Sequence, residues 1–143
     1  MTDSRTAPYA ALLLRVSLGV MFLAHGLLKV FVFTVPGTVQ FFDSLGLPAV
    51  FAYGTIAAEV VGGALLVLGI GSRWVSLALI PILLGATWAH AGNGWVFSAP
   101  NGGWEYPLFL ALTAAVQSLL GDGAYAVGTK FFGQGSVPQL QRA

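Results

Sequence analysis

"LLLRVSLGVMFLAHGLLKVF", residues 12–31, is the stretch whose reading decides the fold. A helix of about 20 apolar residues crosses a hydrocarbon core of ~30 Å, and this run has that length. Yet it carries Arg15, His25 and Lys29. Ionisable groups are costly in lipid, so inside a span they face a bundle interior or mark a functional site. Side chains seven apart nearly superimpose on a helix. Arg15, Phe22 and Lys29 keep that spacing, and His25 lies four before Lys29. Gly19 and Gly26 flank the same face. The stripe is expected to face inward, with two small residues that let another helix approach.

The composition agrees with a membrane protein. Of 143 residues, 57% are hydrophobic and 8% charged, against roughly 25% charged in a soluble domain. The mean hydropathy is +0.83. A net charge of +1 gives no basic field for nucleic acid. The chain has no cysteine, so disulfides, thiol chemistry and thiolate metal sites are excluded within it. The first apolar run exceeds a secretion-signal core and continues past His25, so it reads as a retained span.

Outward from that stretch, apolar segments at Tyr9–Phe33, Ala49–Ile70, Trp74–Ala91 and Trp104–Leu120 predict an all-α membrane protein, a four-helix bundle forming one domain. Pro81 predicts a kink in the third span. Arg5, Arg73, Lys130 and Arg142 lie on one side of this arrangement, and the loops 35–48 and 92–103 hold no Lys or Arg. The bias predicts that both termini are cytoplasmic. "TVQFFDSLG" between Pro36 and Pro48 predicts a short amphipathic interfacial helix. "GWVFSAPNGGW" reads either as an aromatic belt or as a re-entrant cover over a pocket. The tail 121–143 is too short for a second domain.

Counting about 1.5 Å per residue from the span centres gives depths. Glu59 falls near the midplane and Arg15 about 9 Å towards the cytoplasm. His25, Lys29, His90 and Glu105 fall in the outer half. These six residues form the candidate polar pocket. Lys29 is expected to meet Glu105 or His90, with Lys29–Glu105 preferred, and Glu59 to meet His25 or Arg15. Snorkelling of Arg15 to headgroups is the competing reading. His25 and His90 are a poor haem clamp because their depths differ by about one turn. A zinc site from His25, His90, Glu59 and Glu105 has permitted ligands but no diagnostic spacing, so no metal is expected. "AHG" and "AHA" late in the first and third spans hint at tandem hairpins.

The ordered set Arg15, Gly19, Phe22, His25, Gly26, Lys29; Gly46, Leu47, Pro48; Glu59, Gly62, Gly63; Leu68, Gly69, Arg73; Ala86, His90; and Gly102, Gly103, Glu105 resembles the DoxX family of small bacterial four-helix membrane proteins. The resemblance covers residues 10–125. "GDGAYAVG" departs from the Ser-x-Asp-like ending common in the family. The resemblance implies a role beside membrane redox chemistry, since some relatives are subunits of thiosulfate:quinone oxidoreductase and others belong to thiol and oxidative-stress complexes. The expected function is a membrane subunit of an oxidoreductase system, with a bound quinone, a redox partner protein and homo-oligomers as the associated expectations. A small-molecule binding or transport protein and a structural scaffold are the alternatives.

Overall fold

The computed structural model describes residues 4–128, which form helices α1 (Ala7–Phe31), α2 (Val35–Ser44), α3 (Ala49–Leu68), α4 (Ser72–His90) and α5 (Glu105–Leu120). A 3-10 turn, Ala91–Asn93, extends α4. Three stretches are long and apolar enough to cross a membrane: Ala7–Phe31, Ala49–Leu68 and Ser72–Asn93. α5 is apolar but shorter, at 16 residues. Lys130 and Arg142, part of the charge bias, lie outside the described residues.

Local chemistry sets the boundaries. Pro8 and Pro36 sit in the first turns of α1 and α2, where a missing N–H costs nothing. The Thr34 hydroxyl accepts the Gly37 N–H at the start of α2, and the short helix expected here does form, over Val35–Ser44, with Leu45 and Gly46 beyond its end. α3 ends at Gly69, whose φ of 71° stops the helix. α4 runs on through Pro81. That residue leaves the Leu77 carbonyl without its helical donor.

α1, α3, α4 and α5 pack as antiparallel neighbours, α1 against α3 and α5, and α4 against α3 and α5. The α1–α3 contact is backbone to backbone. A Cβ at Gly19 would sit 2.8 Å from the Gly63 oxygen, and one at Gly63 would sit 2.8 Å from the Gly19 oxygen. Gly26 rests on Glu59 and Val60 in the same way, so the glycine-flanked stripe does admit a helix. Leu79 of α4 packs over Gly62. Leu18, Phe22, Leu66, Leu79, Leu83, Ala111 and Ala114 form the core.

Segment 121–128 crosses under one end of the bundle. Ala124 N–H donates to Pro8 O and Val127 N–H to Leu68 O, both at 2.9 Å. This is the terminal end; the opposite one, with α2 and the 91–104 loop, is the loop end.

Candidate functional site

The polar stripe of α1 divides between the two ends. Arg15 is 1% exposed and donates to the carbonyls of Leu66 and Val67 at 2.9 Å and of Ala124 at 3.1 Å. The last carbonyls of a helix have no helical donor and carry its negative dipole end, so the guanidinium caps α3. It neither snorkels nor meets Glu59. Segment 121–128 belongs to the same knot, where the Asp122 carboxylate accepts the Ser72 N–H at 2.7 Å.

At the loop end a cavity of about 630 Å³ lies between the helices. His25 and Lys29 reach it from α1, Glu59 and Thr55 from α3, His90 from α4, and Tyr106 from α5. Its other walls are apolar, with Phe41 and Phe42 from α2, Phe51 from α3, and Phe97, Gly102 and Gly103 from the loop. Phe41, Phe51 and Trp88 line the cavity and are themselves about half exposed, so aromatic rings rim its mouth. Phe22 and Leu83 line it and also belong to the core, so they form its floor.

Lys29 pairs with Glu59, not with Glu105. Its ammonium donates to both carboxylate oxygens, at 2.9 and 2.8 Å, with the two side chains 20% and 8% exposed. The reason is the lean of helical side chains towards their own N-termini. Gly26 already faces Glu59 across the α1–α3 contact. Lys29, one turn further on, leans back to that level, and Glu59 on an antiparallel helix leans up to meet it. The Thr38 hydroxyl donates to the Lys29 carbonyl at 3.0 Å, tying α2 over this end of α1. Glu105 instead accepts the Phe97 N–H at 2.7 Å and closes the 97–105 loop. It lines a separate, more open groove of about 350 Å³ with Trp95, Phe109 and Leu112. Arg15 and Glu105 therefore stand apart from the cavity; His25, Lys29, Glu59 and His90 share it.

The histidines are held alike. His25 Nδ1 lies 2.7 Å from Met21 O, and His90 Nδ1 lies 2.8 Å from Ala86 O, each four residues back on its own helix. A carbonyl only accepts, so Nδ1 carries the proton in both rings. Glu59 makes no hydrogen bond with His25; the histidine ring stacks on Tyr106 at 6.0 Å. The Tyr106 hydroxyl reaches Met21 Sδ at 3.8 Å. Gly102 lies over the His90 ring edge, 3.3 Å from the position a Cβ would take. Sequence reasoning missed Tyr106 and Thr55 because it selected charged and histidine residues. The amphipathic Tyr106, directly after Glu105 at the head of a span, was the available signal. Among the described residues no three His, Cys, Asp or Glu side chains gather closely enough to hold a metal ion.

Comparison with known proteins adds the family. The DoxX profile matches residues 10–92, more than half of the chain and all of α1 to α4 except the first three residues of α1. "Putative oxidoreductase CatD" of Bacillus subtilis (strain 168) is 44% identical over 75 residues, 52% of this chain and 54% of that protein. The chain thus matches about half the length of CatD. A Haemophilus influenzae protein described as uncharacterized is 32% identical over 127 residues, 87% of this chain and 92% of its own length. No solved structure matches the chain. The chain belongs to the DoxX family of membrane proteins.

Proposed function

We propose that this chain is the quinone-binding membrane subunit of an oxidoreductase system in the bacterial plasma membrane. In this reading it is one domain, α5 completes a fourth crossing and both termini are cytoplasmic. The cavity at the loop end carries the proposal. It combines aromatic walls and an aromatic rim with a few convergent polar groups, the usual make-up of a site for a mostly apolar ligand. Its volume of about 630 Å³ suits a ring with substituents. Lys29 is neutralised by Glu59, so the lining favours a neutral ring over a small anion. The histidines supply proton acceptors where a quinol would release protons. The chain has no cysteine, so any thiol or thiosulfate chemistry falls to a partner protein. The oxidoreductase description of CatD supports a redox setting.

Native mass spectrometry of gently purified protein, followed by solvent extraction, tests this. A quinone in either redox state, retained in near-stoichiometric amount, is expected, and Phe51→Trp, which crowds the mouth, should lower it. Quinone content no higher than in an unrelated membrane protein purified in parallel would reject the reading. Uptake of a small molecule into liposomes by the pure protein would favour transport instead.

A further inference from the structure

We infer that the cavity selects the reduced, hydroxyl-bearing form of its ligand, a hydroquinone, over the quinone; this rests on the quinone-site reading above. The hydrogen-bond inventory of the lining carries it. Both histidines have Nδ1–H committed to a carbonyl of their own helix. In the neutral ring the far nitrogen, Nε2, is then a pure acceptor. Neither Nε2 has a hydrogen-bond partner among the described residues, and the two rings enter one cavity from α1 and α4. Each Glu59 oxygen takes one bond from Lys29 and keeps a further lone pair.

Donors are the scarcer side. Two of the three ammonium N–H bonds of Lys29 go to Glu59. The Tyr106 hydroxyl is turned to Met21. The N–H groups of Gly102 and Gly103 go to Ala99 O and Phe97 O. One ammonium N–H and the Thr55 hydroxyl remain, with the Tyr106 hydroxyl held only by a weak sulfur acceptor, and either hydroxyl can equally accept. A quinone brings only carbonyl acceptors and would set lone pair against lone pair at both histidines. A hydroquinone brings two O–H donors that match them.

Three probes that differ in donor content decide it: durohydroquinone with two hydroxyls, duroquinone with none, and durohydroquinone dimethyl ether, which keeps the ring and both oxygens. They are titrated calorimetrically and without oxygen into the full-length protein in lipid nanodiscs, with empty nanodiscs correcting for partition. Durohydroquinone should bind about tenfold or more tightly than either of the others, as expected when donors meet otherwise unpaired acceptors. His25→Phe and His90→Phe should each narrow that gap, because durohydroquinone loses an acceptor while duroquinone loses only a repelling lone pair. Wild-type protein that binds duroquinone as tightly as durohydroquinone overturns the inference and leaves the quinone site standing. Binding of none of the three beyond the empty-disc value overturns both. The wild-type series is decisive even if a histidine variant fails to fold.

Discussion

Glu59 and Lys29 form an ion pair that faces a cavity and is sealed on its other side by the α1–α3 contact. Removing one partner of a buried pair costs about 3–5 kcal/mol, because the other charge stays behind unpaired. Lys29 keeps a fifth of its side-chain surface open, so a loss of about 2–3 kcal/mol is expected for Lys29→Met or Glu59→Gln. The double variant should recover much of it, read as melting temperature in detergent. The cycle of Lys29→Met with Glu105→Gln should be additive, since the Glu105 carboxylate serves the Phe97 N–H. Coupling in the second cycle and additivity in the first would reverse the assignment. That these residues turn inward was legible in the sequence, because a charge in a span has few other places to go. Their pairing was not. It depends on the stagger of α1 against α3 and on which way a long side chain leans, and residue counts along separate spans carry neither. Arg15 shows the same limit, since its partners are main-chain carbonyls that no side-chain pattern announces.

The α1–α3 pair depends on its glycines, and at Gly19 and Gly63 they permit an approach that any side chain would prevent. The atoms a Cβ at Gly19 would meet are the Gly63 oxygen, the Val67 nitrogen and Val67 Cγ2, all at 2.8 Å. Two are backbone and cannot swing aside, so the helices must part. Gly19→Ala and Gly63→Ala are each expected to lower stability by about 1–3 kcal/mol, the usual cost of overpacking. Gly54, in the same helix α3, has nothing within 4 Å of its Cβ position. Gly54→Ala should instead be neutral or stabilising by up to about 1 kcal/mol through helix propensity. Equal effects at Gly19 and Gly54 in a thermal-melt comparison would remove the close contact from the account. The elements themselves were readable from the sequence: Pro8, Pro36, Pro48 and Gly69 stand at the helix ends, where their backbone preferences act locally. The crossing order of the helices was not readable, because it is fixed by contacts such as Leu79 over Gly62 between residues far apart in sequence.

For the whole molecule, the proposed orientation is open to labelling. Ser4, Ser44 and Ser98 are all exposed, and each can be changed singly to Cys in a chain with no cysteine of its own. An impermeant thiol reagent applied to intact cells should label Ser44→Cys and Ser98→Cys and spare Ser4→Cys. Labelling of Ser4→Cys from outside would invert the orientation. The cavity ends on Phe22 and Leu83. Beyond them lie the packed core and then Arg15 with the 121–128 crossing. The space is thus a berth rather than a passage. A molecule that docks there must back out the way it came, so each departing guest stands in the path of its successor. Under the quinone-site reading, guests then exchange one at a time through a single doorway, and a slow-leaving guest inhibits the next.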